Sequence, residues 1–303
     1  MTKYLLVSKP DGEFHTQVCA LGHEIHISRF ILFDLLQKDL IDSSSIIVTL
    51  NEDRIFLYNK TFKNVITWNN YINNQKNTIN KIPVIDLTYY NCVSTQNEQI
   101  KEFCDLNYNF KLFERTDKFI SFVNNINFYD LSSDIEYSDI IKSKFIVIHS
   151  RSILLNQLNT GKDTRYDIHS HLLKIINEIR KYSNLKIVVF CFEKIDICLE
   201  NIYFINNLQI YATFLNNENC DLFITEWSGG GQISQYCCNS KIIYYFYNYT
   251  SHDYELLYDE FQKGSDNKHN IFHAWDFKCT TSCKRSYYKN LDIFLENLHL
   301  HIE

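Results

Sequence analysis

Apolar and polar positions are distributed differently in the two halves of the chain. In the first 130 residues the apolar runs are short and lie between polar, Asn-rich stretches. Residues 3–8, 45–50 and 82–87 read as strands, with Pro10, Asp11 and Gly12 breaking the chain after the first of them. Residues 23–37 carry apolar side chains at helical spacing (Ile27, Phe30, Ile31, Leu35), and residues 97–107 and 116–125 also read as helical. Residues 69–80 read as a polar connection. The acidic, polar stretch 130–144 holds no long apolar run and is expected to join two domains. Beyond it the alternation becomes regular. Strands are expected at 145–149, 186–192, 201–205, 221–225 and 241–247, and helices at 165–181, 208–216, 232–238, 253–261 and 285–298. Strands that are apolar throughout and alternate with helices predict a parallel sheet covered on both faces.

Two domains follow, an N-terminal α/β domain over residues 1–130 and a Rossmann-like domain over 143–303, with the final helix free to pack back on the N-terminal domain. A length of 303 residues allows two cores. The net charge of −6 gives no general attraction to nucleic acid or anionic membranes, while a local basic cleft for a phosphate-bearing ligand stays open. The apolar run at residues 1–8 is too short for a signal peptide, and no stretch approaches the length of a membrane span. Ten scattered cysteines, among them Cys191 and Cys220 in apolar strands, fit buried free thiols in a reducing compartment. A soluble, cytoplasmic protein is expected.

Glycine is scarce, seven residues in all, and three of them form Glu226-Trp227-Ser228-Gly229-Gly230-Gly231-Gln232 between a strand and a helix. Bare backbone there can approach a diphosphate and direct amides at it, with Ser228 and Gln232 adding hydrogen bonds, at the strand end where open α/β sheets bind ligands. Valine at 230 would be expected to block such a ligand and leave the fold mostly intact. No lysine follows the glycines, so this is not a P-loop. At the end of the strand that opens the second half stand His149, Ser150 and Arg151. A guanidinium there binds phosphate oxygens in a fork, and the imidazole can donate a hydrogen bond or move a proton. Glu193 follows the next strand and can accept from ribose hydroxyls.

The run from Asn201 through the helix at 208 to Cys220–Gln232 resembles the donor-binding domain of GT-B glycosyltransferases. His149-Ser150-Arg151 is similar to the His-x-Arg element of their fucosyltransferase-like branch. The resemblance covers roughly the second half of the chain. It implies two Rossmann-like domains facing a cleft, with a nucleotide-diphosphate sugar such as a UDP- or GDP-sugar in the C-terminal one and a glycan or other hydroxyl acceptor in the N-terminal one. By the same resemblance the segment from Leu208 to Tyr211 holds the base, the Gly-rich turn the diphosphate, and Arg151 the leaving group. The acid at the ribose falls to Glu193 or Glu226. Inverting transfer needs a general base near the acceptor hydroxyl. The loop after the first strand offers Glu13 and His15, with Asp11 third, and His23, Glu24, His26 and Arg29 follow on or near the first helix.

No Asp-x-Asp triplet occurs, and the nearest approach, Asp134-Ile135-Glu136, precedes a strand, so metal-free hexosyl or deoxyhexosyl transfer is expected, without a cofactor. His269/His273 with Cys279/Cys283 reads as a packed loop and strand rather than a zinc site. Two alternatives to transfer remain: epimerisation or hydrolysis of a sugar nucleotide on the same fold, and a non-catalytic nucleotide- or glycan-binding module.

Overall fold

The computed structural model describes residues 3–10, 21, 24–77, 82–87, 117–149, 165–191, 199–226, 229–238, 240–245 and 285–302. The described residues up to Phe128 form one compact unit and those from Tyr129 onward a second. The whole is mixed α/β, with one parallel sheet in each unit.

The first unit holds a four-stranded sheet of β1 (Tyr4–Leu6), β2 (Ile46–Thr49), β3 (Asn64–Thr67) and β4 (Val84–Asp86), in the order β3-β2-β1-β4. All three pairings are parallel. Helix α1 (Arg29–Gln37) continues a π-helical turn, Glu24–Ser28. Helix α2 (Trp68–Asn77) follows β3, and α3 is Asp117–Asn124. The stretch 69–80, expected to be a polar connection, is thus helical through Asn77. Its composition is rich in asparagine, a weak helix former. Tertiary packing decides the matter, because Trp68, Tyr71 and Ile72 share one helical face and join Tyr4, Leu6 and Val48 of the sheet in one core cluster. The Tyr4 and Tyr71 rings meet edge to face at 5.0 Å.

Polar groups are buried where β1 and β2 end. The Glu24 carboxylate accepts from Thr49 Oγ1 (2.9 Å), Tyr58 Oη (2.9 Å) and Arg54 Nη1 (2.5 Å). Since Thr49 gives its proton to Glu24, the Ser8 hydroxyl donates to Thr49 Oγ1 at 3.2 Å, and Ser8 in turn accepts from the Leu50 amide at 2.9 Å. The Glu24 side chain is wholly buried and that of Arg54 is 12% exposed.

The second unit holds a six-stranded sheet of β5 (Phe145–His149), β6 (Lys186–Phe190), β7 (Ile202–Ile205), β8 (Cys220–Glu226), β9 (Lys241–Tyr245) and β10 (Arg285–Tyr288), ordered β10-β9-β8-β5-β6-β7. Counted within the unit, this is the 3-2-1-4-5-6 order of doubly wound sheets. Strand alternation sorts the core into two layers. On one face Ile146, Ile148, Ile187, Val189, Leu222, Ile224 and Ile243 pack with Leu172, Ile175, Ile176 and Ile179 of α5 (Arg165–Arg180) and with Leu291 and Phe294 of the final helix. On the other face Phe145, Phe190 and Phe223 meet Phe214 and Tyr211 of α6 (Leu208–Asn216), the Phe190 and Tyr211 rings stacking at 4.2 Å.

Two stretches of this unit differ from the sequence expectation. The polar segment 130–144, expected to be a connection, forms a 3-10 turn, Leu131–Ser133, and α4 (Ile135–Ile140). Asp134 caps α4 by accepting from the Glu136 and Tyr137 amides, Lys186 Nζ reaches Asp139 at 2.6 Å, and the Tyr137 ring meets Phe214. At the C-terminus, where one helix was expected over 285–298, Arg285–Tyr288 is instead the edge strand β10, parallel to β9. Its Tyr287 stacks on Tyr244 of the neighbouring strand at 5.3 Å, a cross-strand contact that a local helical pattern cannot anticipate. The helix expected over 232–238 is α8 (Ser234–Cys237), the glycines expected to form a loop before it make a short helix of their own, α7 (Gly229–Gln232), and the last helix, α9, is Leu291–Asn297. Cys191, Cys220, Cys237 and Cys238 are buried thiols. Among the described residues no helix is long and apolar enough to cross a membrane. The helices expected at 97–107 and 253–261 lie outside the described residues.

Breaking the Glu24 pair from one side should be costly, because a buried carboxylate would keep only its two hydroxyl donors. Arg54→Met is expected to lower unfolding free energy by about 3 kcal/mol in urea titrations, and the double variant Glu24→Gln/Arg54→Met by clearly less. Burial raises the phenol pKa of both Tyr58 and Tyr211 well above the ordinary value. The folded state therefore keeps these protons after the unfolded chain loses them. Stability from this source is complete below about pH 10 and should fall as pH rises further, which a pH series of chemical denaturation will show.

Candidate functional site

In a doubly wound sheet the connections leave β5 and β8 in opposite directions, which opens a crevice beyond their carboxyl ends. The residues at that point are His149, ending β5, and Thr225 and Glu226, ending β8, followed by the Gly-rich turn that opens α7. Parallel register aligns a row across the sheet: Ile205, Phe190, His149, Thr225, Tyr244 and Tyr287. Neighbours in such a row share a face. The buried His149 ring accordingly lies against Phe190 at 5.8 Å and Tyr211 at 6.1 Å.

The polar members of this row and their neighbours tie down the backbone of the turn. Thr225 Oγ1 donates to the Glu226 carbonyl at 2.8 Å and pairs with His149 Nδ1 at 3.2 Å. Tyr211 Oη donates to the Gly230 carbonyl at 3.0 Å. Ser234 Oγ donates to the Gly231 carbonyl at 2.6 Å and, its proton so used, accepts from Tyr244 Oη at 2.9 Å. The Tyr211 phenol, held protonated by burial and secondarily by nearby Cys237 and Cys238, stays a donor throughout the neutral range. Three carbonyls of the segment 226–231 are thus satisfied from within the protein.

Glycine is required here by space. A Cβ on Gly230 would fall on His149 Nε2, and one on Gly231 would fall on Thr225 Oγ1 and 2.8 Å from the Glu226 carbonyl oxygen. The expectation that valine at 230 would spare the fold is therefore corrected: the volume it needs is filled by the imidazole, and the turn would be lifted off the sheet.

Of the residues singled out in the sequence, His149, Glu226, Gly229, Gly230 and Gly231 come together at the carboxyl ends of β5 and β8. Strand alternation turns the buried Glu226 side chain to the face opposite Thr225 and His149. Leu208 opens α6, capped by Asn207 accepting from the Ile210 amide, and is buried in the core. Gln232 ends α7, and its side chain lies outside the description. Ser150, Arg151, Glu193 and Ser228, with the acceptor-side candidates Asp11, Glu13, His15 and His23, lie outside the described residues, as does the His26 side chain. Glu24 is the carboxylate of the buried cluster in the first unit. Arg29 is buried, with Nη2 3.4 Å from the Phe122 carbonyl and its guanidinium over that ring at 5.7 Å. The His269/His273 and Cys279/Cys283 group lies outside the description, and among the described residues no cluster of three or more His, Cys, Asp or Glu is placed to hold a metal.

Thr225, Ser234 and Tyr244 were not legible as site residues, and Tyr211 was reached only as the end of the segment expected to hold the base. Each sits within a segment read as strand or helix, and only the register between strands brings Thr225 and Tyr244 into line with His149.

Two substitutions separate support of the turn from its steric fit. Tyr211→Phe should cost about 1–3 kcal/mol by leaving the Gly230 carbonyl without its donor. Gly231→Ala should cost about 1–3 kcal/mol, since the new methyl meets both the hydrogen-bonded Thr225 hydroxyl and the Glu226 carbonyl oxygen. Urea unfolding midpoints, with the ellipticity of the native baseline unchanged for Tyr211→Phe, check both.

Set beside known proteins, the chain matches no family model and no curated relative.

Proposed function

We propose that this chain is a glycosyltransferase of the GT-B kind, moving a sugar from a nucleotide-diphosphate donor to a hydroxyl acceptor with inversion and without a metal ion, in the cytoplasm. One observation carries the reading. A six-stranded parallel sheet in doubly wound order brings His149 and a Gly-rich turn that only glycine can occupy to the same switch point. Ligands of open α/β sheets bind at that position.

The chemistry asked of the site is modest. Departure of a nucleoside diphosphate places negative charge on the oxygens nearest the turn, and fixed dipoles that need no reorganisation stabilise it. With the carbonyls of Glu226, Gly230 and Gly231 bonded inward, the turn is held rigid from beneath. In this reading Arg151, two residues beyond His149, supplies the positive charge, Glu193 rather than the buried Glu226 meets the ribose, and Glu13, His15 or Asp11 takes the proton of the acceptor hydroxyl. The absence of an Asp-x-Asp triplet supports charge neutralisation by guanidinium and amides.

A nucleoside diphosphate (UDP, GDP or ADP) at saturating concentration with chelator present should raise the melting temperature, as a ligand selective for the folded state must. Arg151→Ala should weaken that binding about 30-fold, the equivalent of about 2 kcal/mol for a charge-assisted pair. No shift with any nucleotide or nucleotide sugar overturns the proposal. Donor turnover without an acceptor assigns the site to epimerisation or hydrolysis, and binding without turnover to a recognition module.

A further inference from the structure

We infer that Thr225 is a positioning residue for the switch-point site, fixing the tautomer of His149 and, through it, the seat of the Gly-rich turn. A threonine hydroxyl has one proton, and that of Thr225 is directed at the Glu226 carbonyl at 2.8 Å. Its remaining capacity toward His149 Nδ1, 3.2 Å away, is as an acceptor. His149 must then carry its proton on Nδ1, so that in the neutral ring Nε2 is the acceptor nitrogen. That nitrogen is the atom that fills the place of a Gly230 side chain. The buried ring is packed against both Phe190 and Tyr211, which leaves it little room to turn. Thr225 also lies under Gly231, so one side chain sets the backbone on which both glycines rest. The register pair His149–Thr225 across β5 and β8 makes this arrangement a property of the sheet.

The consequence for a ligand rests on the reading of this crevice as a diphosphate site, whereas the tautomer does not. Long-range 1H–15N correlation of the full chain labelled at histidine, with the His149 signals assigned by their loss in His149→Gln, reads the tautomer directly. The expected pattern is a pyrrole-type Nδ1 and a pyridine-type Nε2 in the wild type, retained in Thr225→Ser and lost in Thr225→Val. A pyrrole-type Nε2 with a pyridine-type Nδ1 in the wild type, or a Thr225→Val spectrum identical to it, overturns the inference. Because the wild-type spectrum decides alone, a Thr225→Val chain that does not fold leaves the test intact. In parallel, calorimetry with UDP and with GDP should show about tenfold weaker binding to Thr225→Val, restored in Thr225→Ser. Wild-type protein that binds neither nucleotide and no nucleotide sugar counts against the glycosyltransferase reading and leaves the spectrum to judge Thr225. Nucleotide binding that Thr225→Val leaves unchanged overturns the positioning role.

Discussion

The C-terminal unit depends on one close approach: the backbone of Gly230 and Gly231 lying directly on the side chains of His149 and Thr225. A methyl at either position would occupy volume already filled, so the strand-to-helix turn can settle onto the sheet edge only where side chains are missing. Once settled, it is retained by hydroxyl donors from three elements, Thr225 on β8, Tyr211 on α6 and Ser234 on α8, the last braced by Tyr244 on β9. A buried carbonyl without a donor is expensive, which makes these hydroxyls mutually dependent.

The aromatic stack beneath this layer explains how polar groups are tolerated there. Phe190 and Tyr211 lie nearly parallel at 4.2 Å, with His149 against both. All three rings are buried, and the Tyr211 hydroxyl reaches past the stack to the Gly230 carbonyl. The other face of the same sheet is aliphatic and packs on α5 and α9. The two faces thus divide the labour, one carrying most of the aliphatic core and the other the polar seat of the site.

The first unit handles the corresponding place differently. Where β1 and β2 end, the protein has buried an ion pair and its hydroxyl partners, Glu24 with Arg54, Thr49, Tyr58 and Ser8. A carboxylate with three donors and no exposure is closed to a ligand. It is suited to hold the π-helical turn of Glu24–Ser28 in register with the sheet, a use of buried charge for specificity rather than for net stability.

The sequence alone determined the alternation of apolar strands and amphipathic helices in the second half, because burial on both faces writes an unbroken apolar run into each strand. It also marked the Gly-rich turn and His149, because glycine is rare in this chain, the turn follows a strand directly and His149 ends one. What the tertiary structure decided was everything that depends on register and on contacts distant in sequence. The helix at Trp68–Asn77 exists because Trp68, Tyr71 and Ile72 find the sheet, against the preference of its asparagines. Arg285–Tyr288 is a strand because β9 offers it an edge and Tyr244 a stacking partner. Thr225, Ser234 and Tyr244 became part of the candidate site only when strand pairing and helix packing carried them to His149 and the glycines, and the same packing gave Tyr211 its bond to Gly230. Local pattern records which face of an element is buried, and it holds no record of what lies across from it.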